Sequence, residues 1–165
     1  MLYIIQIAVF CLLFIIMVRI GVWNSALNGL YFYPKAVRER VYELGLTDRQ
    51  TVKKKKIIFM TAFYIVMMTA ILLIIGLWNS VRDFWTAYIQ ALVMLEVMNW
   101  FDGIVIDKIW VAKSRFWVIA GTEDIPFVQT WKQVLKKRII LSLIWIVGAA
   151  VIAGLDVMIF GGIFR

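Results

Sequence analysis

Four long runs of apolar residues, separated by polar connections, set the pattern of this chain. They cover about residues 2–20, 57–78, 84–107 and 138–160. Each run is close to the roughly 20 residues with which an α-helix crosses the hydrocarbon core of a membrane. The pattern predicts an all-α, polytopic integral membrane protein, in which residues 1–165 form a single bundle of four transmembrane helices.

The two longer connections between these runs contain helical patterns of their own. In residues 34–50, apolar side chains recur at helical spacing and predict an amphipathic helix that ends near Gly45. Residues 108–119 mix basic and aromatic side chains, which is typical of a segment in the headgroup region of a membrane. Asp124 followed by Pro126 predicts the start of another helix, and residues 129–140 are expected to lead as one helix into the fourth run. We therefore expect two partly helical connections.

Basic residues are concentrated in these same connections. Residues 23–56 and 108–137 contain most of the lysines and arginines, whereas the link after the second run contains only Arg82 and the C-terminal tail only Arg165. The positive-inside rule places both basic connections in the cytoplasm and both termini outside. We expect the plasma membrane of a bacterium, with the anionic headgroups of its inner leaflet as partners.

The composition limits the chemistry that is open to the chain. Hydrophobic residues make up 64% of the sequence and charged residues 17%, whereas a soluble domain is about one-half apolar and one-quarter charged. The net charge of +8 is explained by the cytoplasmic connections, so we predict no nucleic-acid partner. The absence of histidine excludes His-ligated haem and His-containing zinc sites.

The third apolar run differs from the others because it contains carboxylate and amide side chains. At about 100° per residue, one face of this helix holds Glu96, Asn99, Gly103 and Asp107, with Asp102 at its border. A carboxylate at the centre of a membrane costs at least about 2.5 kcal/mol on insertion scales, so this face should point away from lipid. Its four polar residues are candidate site residues.

Arg19, at the end of the first run, is the basic residue that we expect to meet this acidic face. It lies at a similar predicted depth to Glu96 and Asp102, and the sequence leaves open which of the two it contacts. Such a pair would join two helices, with Gly103 as the small residue that allows their close approach. The carboxylates outnumber one arginine, so these residues are also the candidate ligand- or ion-binding site.

Three classes of function remain open at this point. In the first, the acidic site opens to the cytoplasmic half and binds or transports a cation, a proton or a small molecule, with Glu96 at its centre and a homo-oligomer around it. In the second, an inner-leaflet lipid-modifying enzyme holds a divalent cation such as Mg²⁺ on Asp102 and Asp107, with Glu123 and Asp124 folded over them. In the third, the polar face docks on another membrane protein as an accessory subunit.

The sequence contains one more carboxylate in an apolar run, and its acidic stretch can be compared with the motifs of known membrane enzymes. Asp156, near the outer end of the fourth run, is expected to be an interfacial carboxylate close to Arg82 or Arg165. The acidic stretch at residues 99–107 differs in spacing from the motif of ubiquinone-type prenyltransferases, and after Asp102 and Gly103 it lacks the Ala-Arg and the last aspartate of CDP-alcohol phosphotransferases. Asp102 and Asp156 are expected at opposite sides of the membrane, unlike the aspartate pair of lipoprotein signal peptidases. The sequence therefore assigns no family and does not decide whether the protein is an enzyme.

Overall fold

The computed structural model describes residues 2–161, which form helices and loops without a strand. The five α-helices are α1 (Leu2–Val22), α2 (Lys35–Glu43), α3 (Arg49–Leu72), α4 (Phe84–Phe101) and α5 (Trp131–Phe160). Helices α3 and α4 continue as wider π-helical turns over Leu73–Trp78 and Asp102–Val111. Short 3₁₀ helices cover Ala26–Phe32 and Arg115–Trp117.

Four of these helical segments are long and apolar enough to cross a membrane. They are Leu2–Val22, Arg49–Trp78, Phe84–Val111 and Trp131–Phe160. The predicted all-helical fold with four long apolar helices is thus confirmed. The second and fourth segments begin before residues 57 and 138, where the apolar runs begin, because their first turns consist largely of basic and polar residues.

Side-chain caps fix where three of the long helices begin. The carboxylates of Asp48 and Asp83 each accept a backbone N–H three residues on, at 2.8 Å, at the starts of α3 and α4. At the start of α5, Thr130 and Gln133 form a capping box, in which each side chain accepts the backbone N–H of the other residue.

The connection from α4 to α5 corrects one prediction. No helix begins at Asp124 and Pro126, since the carboxylate of Asp124 lies 3.6 Å from Arg40 instead of capping a helix. The earlier connection behaves as predicted, because α2 ends just before Gly45, whose φ of +67° favours glycine.

The two ends of the bundle are distinct. The loop end carries the long connections between α1 and α3 and between α4 and α5, and the termini end carries the start of α1, the link at residues 79–83 and the end of α5. The most extensive helix contact joins α4 to α5, while α1 packs on both α3 and α4. Fully buried alanines on the two partners suit this close approach, namely Ala87, Ala91, Ala149 and Ala153.

Candidate functional site

The polar face of α4 runs into the wider helical turn that comes after it. From Asp102 onward the backbone is π-helical, so each N–H bonds to the carbonyl five residues earlier. Residues five apart then lie on nearly the same side, whereas in a regular α-helix they are about 140° apart. Asp102 and Asp107 are thereby brought together, and both contact Arg138 of α5.

Arg138 is the centre of this site, and its side chain is only 1% exposed. Its Nη1 lies 2.6 Å from a carboxylate oxygen of Asp102, and its Nη2 lies 2.7 Å from one of Asp107. Nη1 also donates to the backbone carbonyl of Asn99 at 3.1 Å, and the Asn99 amide donates to the backbone carbonyl of Arg138 at 3.0 Å. The planar guanidinium, with donors in a fixed fork, suits two carboxylates at once.

A chain of hydrogen bonds continues from Arg138 toward the middle of the bundle. The side chain of Asn99 donates to the hydroxyl of Ser142 at 3.2 Å, and that hydroxyl donates to a carboxylate oxygen of Glu96 at 2.6 Å. At the other side of the site, Nζ of Lys137 lies 3.7 Å from Asp107. We call these residues the Arg138 cluster: Glu96, Asn99, Asp102, Asp107, Lys137, Arg138 and Ser142.

Gly103 allows α4 and α5 to approach closely beside this cluster. A Cβ atom at Gly103 would lie 2.8 Å from Nε of Arg138 and 3.1 Å from its Cγ and Cδ. Real Cβ atoms do not come this close to a neighbour, so even alanine would push the arginine out of place. The predicted role of Gly103 as the small residue at a helix contact therefore holds, with α5 as the neighbour.

Arg19 does not make the expected contact with Glu96 or Asp102, and its part in ligand binding stays a prediction. Its exposed guanidinium lies 5.5 Å from the centre of the Phe116 ring, while Asp102 contacts Arg138 and Glu96 accepts a hydrogen bond from Ser142. The apolar pattern does not point to Arg138 because the fourth run starts after it, although α5 begins at Trp131 and places Arg138 about two turns inside. The T-x-x-Q capping box at residues 130–133 is the signal that reveals this earlier start.

The predicted metal ligands, Asp102 and Asp107, both face a guanidinium. Arg138 thus occupies the position beside both carboxylates where a divalent cation would be held. Glu123 and Asp124 are exposed and make contacts elsewhere, so they do not fold over the two aspartates. Across residues 2–161, no group of three or more Cys, Asp or Glu side chains is arranged to hold a metal ion.

A cavity of about 610 Å³ lies between α1, α3, α4 and α5 and reaches the Arg138 cluster. Its walls are mainly aromatic and methionine side chains, among them Phe10, Phe14, Phe59, Phe63, Met67, Met98, Trp117 and Trp145. Its polar end is lined by Asn99, Asp102, Asp107, Gln129, Lys137 and Arg138. The cavity therefore combines a long apolar compartment with one charged end.

The termini end contains a second polar cluster, which the sequence did not reveal. The side chains of Gln6 and Asn79 exchange hydrogen bonds of 2.6 and 3.1 Å, and Asn79 also donates to the side chain of Gln90 at 2.8 Å. The hydroxyl of Tyr3 donates to the backbone carbonyl of Gln90 at 2.6 Å. This amide cluster, made of Gln6, Asn79 and Gln90, joins α1, α4 and the link between α3 and α4.

Asp156 lies at the same end but differs from its prediction. It is fully buried, with 0% exposure, and neither carboxylate oxygen has a hydrogen-bond partner among residues 2–161. The charge of Arg82 acts on it, in line with one of the two expected neighbours. The other expected neighbour, Arg165, lies outside the described residues.

Comparison of the chain with protein-family models, curated proteins and solved structures gives no match. Function must therefore be inferred from the geometry of the Arg138 cluster and of the cavity beside it.

Proposed function

We propose that this protein spans a membrane with its four long helices and binds a lipid-like amphiphile in the cavity beside Arg138. The exterior of the bundle supports insertion, because large apolar side chains there are open to the surroundings: Ile4 is 72% exposed, Trp85 70% and Val147 66%. The basic loop end lies on the cytoplasmic side, according to the positive-inside rule.

The cavity is the observation that carries this proposal. Its volume of about 610 Å³ is within the range of roughly 300–1,000 Å³ that is usual for small-molecule sites. Aromatic and methionine walls suit an acyl or isoprenoid chain, since they provide apolar and adaptable contacts. The side chains at the polar end suit a headgroup. The cavity is therefore complementary to a molecule that has one polar and one apolar part.

Charge compensation favours an amphiphile over a bare cation. The acidic face of α4 suggested a cation because its carboxylates lacked a counterion, but Arg138 and Lys137 both lie beside Asp107. The third carboxylate, Glu96, accepts a hydrogen bond from Ser142. Much of the negative charge is thus balanced within the chain, which weakens the reason for a bound cation.

The proposal predicts one saturable lipid site per chain. Purified protein that has been delipidated in a neutral detergent would be titrated with dioleoylglycerol and with dioleoylphosphatidylglycerol, and bound lipid counted by native mass spectrometry. Gly148 lines the cavity, and a Cβ atom there would lie 3.2 Å from the ring of Trp145. A leucine at this position should therefore weaken lipid binding about fivefold or more, because overpacking costs about 1–3 kcal/mol.

Gly154 provides the matched control on the same helix. It is exposed, and a Cβ atom there would have no neighbour within 4 Å. Gly154→Leu should bind lipid as the wild type does, and circular dichroism should show the same helix content in both variants. Lipid adducts that never saturate, or that are equal in Gly148→Leu and Gly154→Leu, would exclude a specific site in the cavity.

The other classes of function stay predictions. An inner-leaflet lipid-modifying enzyme would use the same cavity, but the described residues give it no added support through a nucleophile or a metal site. An accessory role, a homo-oligomer and a bacterial plasma membrane likewise stay predictions, as does the transport of a cation or proton centred on Glu96.

A further inference from the structure

The cavity beside Arg138 opens between α3 and α5. The side chains that line it from α1 and α4 are buried or half-buried, so these two helices form its closed wall. Its exposed lining residues lie on α3, on α5 and on the connection before α3: Tyr64 is 60% exposed and Val151 56%, and Phe32 and Lys137 are exposed as well. The cavity therefore meets its surroundings at the side of the bundle.

The packing of the helices agrees with an opening at this place. Of the neighbouring pairs of long helices, α3 and α5 have the least extensive contact. The π-helical turn after α3 meets α5 near the termini end, where the ring of Phe160 lies against Gly76. From this contact toward the loop end runs the α3–α5 slot, bordered by Tyr64 of α3 and by Lys137 and Val151 of α5. Since both helices are long and apolar enough to cross a membrane, most of the slot would face hydrocarbon.

Lysines border the loop end of this slot. Lys53 and Lys56 come shortly before Met60, which lines the cavity, and at about 100° per residue both lie within about 40° of it on α3. Both are exposed, and neither forms an ion pair within residues 2–161. On the other side of the slot, Lys137 lines the cavity itself. Basic side chains at a membrane surface attract anionic lipid, so a negative headgroup suits the loop end of the slot.

From these observations we propose that the ligand is an anionic phospholipid that enters the cavity from the membrane through the α3–α5 slot. Its acyl chain would occupy the apolar compartment, and its phosphate would lie at the loop end, beside Lys53, Lys56 and Lys137. A phosphate held at this mouth leaves the ion pairs of Arg138 intact. The inference rests on the proposed lipid binding, and it names the class of lipid and its route.

The first test compares three lipids with the same acyl chains by native mass spectrometry of the delipidated full chain. They are the anionic dioleoylphosphatidylglycerol, the zwitterionic dioleoylphosphatidylcholine, and dioleoylglycerol, which has no phosphate. We expect the anionic lipid to bind one per chain and to displace the other two. The double variant Lys53→Gln, Lys56→Gln should weaken its binding about 25-fold, because each lysine beside an anionic lipid contributes about fivefold.

The double variant Lys132→Gln, Lys136→Gln is the matched control. It removes the same charge from exposed positions near the start of α5. At about 100° per residue, Lys132 and Lys136 lie about 140° and 180° around this helix from Trp145, which lines the cavity. The control should therefore bind dioleoylphosphatidylglycerol as the wild type does, and circular dichroism should show the same helix content in both double variants.

Photo-crosslinking tests the route. Tyr64→benzoylphenylalanine would place a light-activated group at the slot, in nanodiscs where dioleoylphosphatidylcholine is in excess over dioleoylphosphatidylglycerol. Ile16→benzoylphenylalanine is the control, because Ile16 is exposed on α1 and lies outside the cavity. The two positions lie at a similar depth, since Gly21 contacts Phe59 and each position is five residues from that contact. The anionic lipid should be captured above its share of the nanodisc lipid at Tyr64, and in proportion to that share at Ile16.

The outcomes separate this inference from the proposed function. If either of the other lipids binds as tightly as dioleoylphosphatidylglycerol, or if the two double variants weaken its binding equally, the inference is overturned while lipid binding stands. If Tyr64 and Ile16 capture the two phospholipids in the same ratio, bulk membrane lipid lies at the slot and the proposed route is wrong. If none of the three lipids binds saturably, both the inference and the proposed function fail.

Discussion

The two ends of the bundle hold their polar clusters in different ways. At the loop end, Arg138 joins α4 and α5 through two carboxylates, whereas at the termini end neutral amides join three elements around Asn79. The amide cluster contains no buried polar side-chain atom without a partner, while Nε of Arg138 has none among residues 2–161. The amides therefore act as structural contacts among themselves, whereas several residues of the charged cluster also line the cavity.

The clusters also differ in their sensitivity to the loss of one member. Removal of one side chain from a buried ion cluster leaves charges that nothing compensates, which is among the most destabilising of single changes. Loss of one amide leaves only a neutral group without its partner. Single substitutions should therefore distinguish the two ends by the size of their effect on the free energy of unfolding.

The largest effect is expected for Arg138→Met. Asp102 and Asp107 would lose their main counterion, and the loss of one partner from a buried pair costs about 3–5 kcal/mol. The free energy of unfolding would be measured by titration with dodecyl sulfate in lipid–detergent micelles. Arg19→Met, at an exposed position, is the control and should change stability by less than about 0.5 kcal/mol.

A compensating change tests whether uncompensated charge causes the loss of stability in Arg138→Met. The triple variant Arg138→Met, Asp102→Asn and Asp107→Asn removes the charge on both sides of the contact, so it should recover part of the stability that Arg138→Met loses. If the triple variant is instead less stable than the single one, the aspartates do not depend on Arg138 for compensation.

A smaller effect is expected from Gly103→Ala. Its methyl group would lie 2.8 Å from Nε of Arg138, which is fixed by its carboxylate partners, and overpacking of this kind costs about 1–3 kcal/mol. Gly154→Ala is the matched control, since no atom lies within 4 Å of its new methyl group. The same titration would show the effect, and equal stabilities for the two variants would contradict the close approach of α4 and α5 at Gly103.

At the termini end, Asn79→Leu should cost about 1–2 kcal/mol, less than Arg138→Met, because the amides left behind are neutral. Gln6, which is fully buried, would lose its partner, so Gln6→Leu added to Asn79→Leu should cost little more. Asn24→Leu, at an exposed loop position, is the control. If Asn79→Leu lowered the free energy of unfolding as much as Arg138→Met, the two ends would not differ in their sensitivity to single substitutions.

Helical periodicity predicted much of the loop end and little of the termini end. The face with Asn99, Gly103 and Asp107 can be read from positions within one helix, and the structure places that face on α5 as a single surface. The partner Arg138 depends on how two helices pair and on the π-helical turn at Asp102, which no local pattern specifies. The acidic half of the site was therefore predictable from the sequence, and its basic half was not.

The amide cluster could not be predicted from local sequence patterns either. Gln6, Asn79 and Gln90 are single polar residues in three different elements, so no spacing within a segment relates them. Their contact is a consequence of how α1 packs beside α4, which is a tertiary property. Isolated amides in apolar helices are therefore candidates for hydrogen bonding to one another, although the sequence does not show which of them pair.

The smallest effect is expected at Asp83, which caps α4 at the termini end. Hydrogen bonds from the backbone N–H and the side chain of Thr86 hold the pKa of Asp83 below its usual value. A lowered pKa means that the charged cap stabilises the fold above the unfolded pKa of about 3.9 and that this contribution is lost as the pH falls through the folded pKa.

Asp83→Asn keeps a capping side chain and removes the charge. The melting temperature of the wild type should exceed that of Asp83→Asn slightly at neutral pH, and the difference should disappear at a pH below the folded pKa. If the difference in melting temperature persisted at this low pH, the charge of Asp83 would not be its cause, and Asp83 would act through the shape of its cap. Charge would then contribute to the structure at the loop end but not at this helix start.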